Sequence, residues 1–165
     1  MADTFHAHET ERLRALEGTA LATFPARLGA FAVDFFLAAA VFGAGAILVL
    51  PLIQRRGWIR SELKLTFDFA NWYSLIFLVL YFGLSTFFGA GQTLGKRLFR
   101  IRVVSTVHDS LSIWHCFERA LGYGASALEL GFGFLQYFVN PNRRTVHDRI
   151  AETIVVKVPR PNSQV

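Results

Sequence analysis

Three long apolar stretches constrain the fold of this chain more than any other feature of its sequence. They cover residues 28–53, 69–90 and 113–139. An α-helix rises about 1.5 Å per residue, so about 20 residues cross the roughly 30 Å hydrocarbon layer of a bilayer. The first stretch contains one charge, Asp34, and the second contains none. The sequence therefore predicts an all-α membrane protein with three apolar helical segments.

The composition agrees with a membrane environment. Hydrophobic residues make up 53% of the chain, and charged residues make up 18%, against about 25% in an ordinary soluble domain. The single cysteine, Cys116, excludes a disulfide framework within the chain and a cysteine-rich zinc site. Residues 91–97 depart from the spacing of a phosphate-binding loop, and the sequence has no nucleophile elbow. We therefore expect no enzymatic activity, no cofactor and no metal site.

The third stretch differs from the other two because it carries Glu118, Arg119 and Glu129. It either crosses the membrane once or returns to its starting side as an interfacial or re-entrant element. A single crossing divides the Lys and Arg residues of the flanking regions almost evenly, as 7 against 9, whereas a return gives 12 against 4. Membrane proteins favour an uneven distribution. Exposed turns are nevertheless unfavourable at membrane depth, so both paths stay open.

Two short segments have the pattern of β-strands. Residues 99–104 alternate apolar and basic side chains, and residues 153–158 form a second strand-like run. If the third stretch returns, both runs lie at the same membrane surface and can pair. The sequence shows no repeat and no low-complexity linker, so we expect one transmembrane domain at residues 27–158. Residues 1–26 would be a polar N-terminal leader, and residues 159–165 a C-terminal tail.

The charges inside the apolar stretches are candidate site residues. Arg27 and Asp34 are seven residues apart and so share one helix face, as do Glu118 and Glu129, eleven apart, with Arg119 next to Glu118. An ionised carboxylate in hydrocarbon is disfavoured by about 2.5–3.5 kcal/mol on insertion scales. Asp34 must therefore face protein or water. It is either a cation or proton site or a helix-packing carboxylate bonded to an arginine on a neighbouring segment.

The basic residues outside the apolar stretches form two clusters. We predict that both touch anionic lipid headgroups rather than nucleic acid. The members of this membrane-surface set are Lys96, Arg97, Arg100, Arg102, Arg143 and Arg144.

Taken together, the sequence resembles the RDD family of small membrane proteins, named for one arginine and two aspartates. The matching positions are Arg27, Asp34 and Asp148, together with residues 91–104 and Arg119. The resemblance covers about residues 24–158. It implies a membrane protein for which ligand transport or cation/proton exchange has been suggested.

The resemblance also directs attention to Asp148. If the tail folds back, Asp148 would pair with Arg27 or Lys96, either as a structural lock or as part of a gate. The sequence departs from the family at Arg100 and Glu152, where glycine is more common.

Two functions follow as expectations. The first is transport of a small ligand, or exchange of cations for protons, through a homo-oligomer in the plasma (inner) membrane. Small residues at four-residue spacing would pack its helices, namely Ala39, Gly43, Ala127 and Gly131. The alternative is a non-transporting structural or accessory subunit that docks a membrane partner or lipids. In both, the bilayer is the surrounding partner and nucleic acid is not.

Overall fold

The structure, a computed structural model, is mostly helical with one small sheet. It describes residues 5, 11–57, 65–68, 71–128 and 132–159. Within these ranges the elements, in chain order, are α1 (Glu11–Leu16), α2 (Phe24–Arg55), α3 (Trp72–Phe88), α4 (Leu94–Leu98), β1 (Ile101–Ser105), α5 (Ile113–Leu128), α6 (Phe132–Val139), α7 (Val146–Ile150) and β2 (Thr153–Lys157).

Helix α2 is the dominant element. It starts with Pro25 in its first turn, where the missing N–H has no helical partner to lose. Its 32 residues reach about 48 Å at 1.5 Å per residue. Among the described helices, α2 alone is long and apolar enough to cross a membrane by length and composition. Only 6% of its most apolar 18-residue stretch is buried inside the protein. The helix is therefore not the core helix of a globule, and the predicted long apolar helix is confirmed.

The other two apolar stretches form shorter helices than a full crossing needs. Helix α3 has 17 residues, and the third stretch divides into α5 and α6. Helix α5 packs against α3, and the ring centroids of Phe82 on α3 and Tyr123 on α5 lie 5.4 Å apart. Gly83 permits this approach, because a Cβ there would lie 3.0 Å from the Phe117 ring. The predicted number of apolar spans is thus not confirmed.

The sheet brings together the two strand-like runs. Strand β1 pairs antiparallel with β2, with Arg102 opposite Val156 and Val103 opposite Val155. The predicted pairing of these runs is confirmed. Residues 19–22 extend the sheet on its other side, since the Lys157 N–H donates to the Ala20 carbonyl over 2.8 Å and the Ala22 N–H to the Val155 carbonyl over 2.9 Å.

The two faces of the sheet are covered by different parts of the chain. On one face, Ile154 and Val156 pack with Leu16 and Leu21 from the N-terminal segment. The segment that the sequence assigns to a polar leader therefore supplies part of the core, because Leu16 and Leu21 are buried against the sheet. The other face packs against the first turns of α2, and the residues buried there are Ala22, Ala30, Ile101, Val103 and Val155.

Both departures from the glycine pattern of the resembled family lie in left-handed backbone. Arg100, just before β1, has φ of 52°, and Glu152, just before β2, has φ of 46°. This conformation places Cβ close to a carbonyl oxygen and is unfavourable by about 1–2 kcal/mol for most residues, whereas glycine adopts it freely.

We therefore expect Arg100→Gly and Glu152→Gly each to raise the free energy of unfolding by up to about 1 kcal/mol, after allowance for the greater chain entropy of glycine. Arg102→Gly is the matched control, because this exposed arginine lies within regular β1. It should lower stability. Thermal unfolding in detergent measures all three, and equal effects of Arg100→Gly and Arg102→Gly would contradict the prediction.

Candidate functional site

Asp148 is the centre of a buried polar cluster. Its side chain is fully buried on α7. Arg27 Nη1 donates to Oδ2 over 2.6 Å, and Arg119 Nη1 donates to Oδ1. The backbone N–H of Thr145 adds a third hydrogen bond to Oδ2 over 3.2 Å, as part of the capping box that starts α7. Both carboxylate oxygens are therefore occupied from within the chain.

The two arginines connect this carboxylate to distant elements. Arg27 lies in the first turn of α2 and also donates to the carbonyls of Ala22 and Val155, over 3.3 and 3.4 Å. Arg119 lies on α5 and donates to Thr153 Oγ1 on β2 over 2.6 Å. The contact of Asp148 with Arg27 that the resemblance implies is present. One carboxylate thus joins α2, α5, α7 and β2.

The electrostatics keep this cluster charged. Burial alone would raise the pKa of the Asp148 carboxyl, but Arg119 and Arg27 outweigh it and hold the pKa far below its ordinary value. A buried carboxylate is tolerated when it is paired and hydrogen-bonded. Removing Asp148 would leave both arginines without their carboxylate, so the three residues act as a unit.

His147, next to Asp148, is held neutral. Burial lowers its pKa to about 3, because it outweighs the attraction of Asp148 and is reinforced by the nearby arginines. Its Nε2 lies 2.9 Å from Thr145 Oγ1, and its ring centroid lies 4.4 Å from that of Tyr123. The histidine therefore contributes packing and a hydrogen bond rather than a third positive charge.

Asp34 forms a second buried contact, seven residues along α2 from Arg27. It accepts hydrogen bonds from the Thr93 hydroxyl and, over 2.7 Å, from the Gly95 backbone N–H. Thr93 caps α4, and Gly95 lies in its first turn, where backbone N–H groups lack helical partners. A carboxylate at this position satisfies them. Asp34 is 1% exposed and bonds to a backbone N–H and a hydroxyl, whereas the packing interpretation predicts an arginine on a neighbouring segment.

Lys96 does not lie at the surface, where its place in the predicted membrane-surface set requires it. It is buried, with Nζ 3.3 Å from Thr93 Oγ1, because α4 packs directly on α2 and turns this side chain inward. Arg97, Arg100 and Arg102 are exposed, as a surface role requires.

The remaining predicted site residues lie outside the cluster or at its edge. Arg143 is half-buried over the Tyr137 ring. Arg144 is half-buried and donates to the Asp148 carbonyl over 3.3 Å. Glu118 is half-buried on α5, and among the described residues it makes no polar contact with the Asp148 cluster. Glu129, like Gly131 of the predicted packing face, lies outside the described residues.

Sequence reasoning missed the uncharged members of both contacts. The sequence does contain a signal for Thr145, because a threonine three residues before an acidic residue is typical of a capping box. Thr93 before the short α4 is a weaker signal of the same kind. Thr153, His147 and Tyr123 carry no local pattern that distinguishes them from ordinary loop, strand and helix residues.

Comparison with known proteins identifies the family of this chain. The RDD family model matches residues 21–152. The chain belongs to the RDD family. The match begins at the residues that pair with β2 and ends just before that strand, so it contains all three charged positions and both helices α2 and α3.

Two relatives from Bacillus subtilis (strain 168) are similar to this RDD protein. YteJ, described as an uncharacterized membrane protein, is 30% identical over 137 residues, which cover 83% of this chain and 81% of YteJ. YxaI, described as an uncharacterized protein, is 27% identical over 121 residues, covering 73% of this chain and 80% of YxaI. No solved structure matches the chain. The family and YteJ together identify a membrane protein.

Gly95 offers a sharp test of the Asp34 contact. A Cβ at this position would lie 2.8 Å from Asp34 Cγ and against the Ala30 carbonyl oxygen. We expect Gly95→Ala to lower the free energy of unfolding by about 1–3 kcal/mol, because the packed backbones must separate.

The matched control is Gly43→Ala on α2, since a Cβ there meets no atom within 4 Å. Alanine is the better helix former by about 1 kcal/mol, so Gly43→Ala should leave stability unchanged or raise it. Chemical unfolding in detergent micelles measures both variants. Similar losses for the two would show that α4 does not approach Asp34 closely.

Proposed function

We propose that this RDD protein is a non-catalytic accessory membrane subunit. It holds a basic surface, formed by Arg97, Arg100 and Arg102, at one side of the membrane. The observation that carries the proposal is the use of the family's charged residues. Both oxygens of Asp34 and both oxygens of Asp148 accept hydrogen bonds from within the chain. Carboxylates engaged in this way hold elements together and leave no oxygen free for a passing cation.

The surrounding charge supports the same assignment. Arg27, Lys96 and Arg119 are all buried or nearly so around the two aspartates. These three cationic side chains outnumber the two carboxylates, so a metal cation or proton entering this region would be repelled. A cation pathway through these residues is therefore unfavourable, whereas permanent structural contacts of Asp34 and Asp148 are not.

The proposal includes two membrane crossings. The charge-free part of α2, residues 35–53, reaches about 28 Å, and the 17 residues of α3 reach about 26 Å. The α2 part is close to the hydrocarbon thickness of about 30 Å, and α3, which is shorter than this thickness, would cross where the bilayer thins locally. The pairing of β1 with β2 supports this topology, because the chain between them must leave and re-enter the same side. Segment 113–139 would then be interfacial.

This topology gathers the basic residues at one surface. On that surface α4 exposes Leu94 and Leu98 beside Arg97, with Arg100 and Arg102 just beyond. Apolar and basic side chains exposed together suit a membrane interface with anionic headgroups. By the positive-inside rule this surface faces the cytoplasm, and the membrane would be the plasma (inner) membrane.

A second candidate is transport through a homo-oligomer. The exposed apolar length of α2, with open space at Gly43, favours it, because such a helix can pack against another copy. Here Asp34 would bind cations or protons after its contacts to α4 open. The two candidates differ in whether Asp34 must be released for function.

Flux measurements in proteoliposomes distinguish the candidates. With purified protein we expect sodium, potassium and proton fluxes equal to those of empty vesicles, and no change with Asp34→Asn. A flux above background that Asp34→Asn abolishes would overturn the accessory role. Asp109→Asn is the control, since this exposed carboxylate lies outside the cluster.

A further inference from the structure

A cavity of about 370 Å³ lies beside the polar cluster. Its volume falls at the low end of the range of about 300–1,000 Å³ that small-molecule sites occupy. Most of its wall is apolar or aromatic, and Phe24, Phe31, Phe82 and Tyr123 contribute four rings. Walls of this kind favour the hydrocarbon part of a ligand over water.

The charged groups of the cavity wall all have the same sign. Arg27, Lys96 and Arg119 line it, and no described carboxylate does. Arg27 and Arg119 share one carboxylate, Asp148, which contacts both guanidinium groups and offsets one of their two charges. This leaves Lys96 as the lining cation that Asp148 does not contact.

Lys96 is unusual among the described cations. It is 6% exposed, and its ammonium has one side-chain hydrogen bond, to Thr93 Oγ1 over 3.3 Å. No described carboxylate lies within ion-pair distance of it. An ammonium carries three donors and is rarely buried unless paired. An anion in the cavity would supply the missing partner.

The cavity meets the protein surface at apolar residues. Of its lining side chains, Leu28 and Leu135 are the most exposed, at 56% and 53%. Leu28 lies in the second turn of α2, before the charge-free part of that helix starts at residue 35. An apolar mouth at this level suits a ligand whose tail remains in the bilayer.

We propose that this cavity is a binding site for an amphiphile with one negative charge, whose anionic group pairs with Lys96 and whose hydrocarbon chain leaves between Leu28 and Leu135. The shared chemistry is a monoanionic head on an apolar tail. Its source is either a fatty-acid carboxylate or the phosphodiester of an anionic phospholipid. The site is independent of the accessory role, because neither Asp34 nor Asp148 has to move.

The test uses the full chain purified in a neutral maltoside detergent. Dodecanoate and dihexanoyl phosphatidylglycerol are the anionic probes, and dodecanol and dihexanoyl phosphatidylcholine are their controls without net charge. A ligand that binds the folded state raises the unfolding temperature. We expect a saturable rise with at least one anionic probe and not with its control. The probe that gives the rise identifies the source.

Lys96→Met tests the proposed ion pair. It retains an unbranched apolar side chain but removes the charge, and we expect binding of the active probe to weaken about tenfold or more, since a charge-assisted hydrogen bond is lost. Arg97→Met is the matched control, because Arg97 is the exposed neighbour and does not line the cavity. It should bind as the unmodified protein does.

Leu135→Glu keeps the test valid if Lys96→Met fails to fold. This residue is exposed, so the substitution should be tolerated, and a carboxylate at the mouth should weaken binding of either anionic probe. The proposal is overturned if neither anionic probe gives a rise, if the uncharged controls give the same rise, or if Lys96→Met and Arg97→Met bind equally well.

Discussion

The fold depends on one buried carboxylate. Asp148 holds Arg27 of α2 and Arg119 of α5 at the same time, and it also caps its own helix, α7. Because a buried charge without partners is strongly unfavourable, these elements separate only if the whole cluster is lost. The long helix, which has few buried residues of its own, is thereby fixed to the sheet and to the short helices around it.

The Asp34 contact adds a second attachment on the same helix. The spacing of Arg27 and Asp34 puts both on the face of α2 that meets the rest of the protein, one at α7 and β2 and the other at α4. Residues beyond Asp34 are almost all apolar, and all but Ala38 are half-buried or exposed. Helix α2 therefore has two parts, an anchored first third and a second part that contacts α3 through Phe42 and whose other surroundings are lipid or another protein. Lys96 lies between the two attachments and faces the cavity.

The sequence predicts the elements with a strong period or a long apolar run, and it predicts little about how they meet. Residues 99–104 and 153–158 showed their strand pattern, and residues 28–53 their helix. The burial of Lys96 could not be predicted from the sequence, because a lysine among arginines has the same local pattern whether it faces lipid headgroups or a cavity. The contacts of Thr93 and Thr153 depend on neighbours 59 and 34 residues away. The resemblance, rather than any pattern, singled out Asp148.

The most direct test of this account is a double-mutant cycle on Arg27 and Asp148, with unfolding free energies measured in detergent for Arg27→Met, Asp148→Asn and the double variant. We predict that the double variant loses less stability than the two single losses combined, by about 1 kcal/mol or more, because Asp148→Asn alone leaves two arginines without their carboxylate, whereas the double variant leaves only Arg119. The pair of Arg12 and Asp109, 3.1 Å apart, is the comparison, and because its carboxylate is exposed to solvent, it should give additive losses. Additive losses for Arg27 and Asp148 would contradict the account.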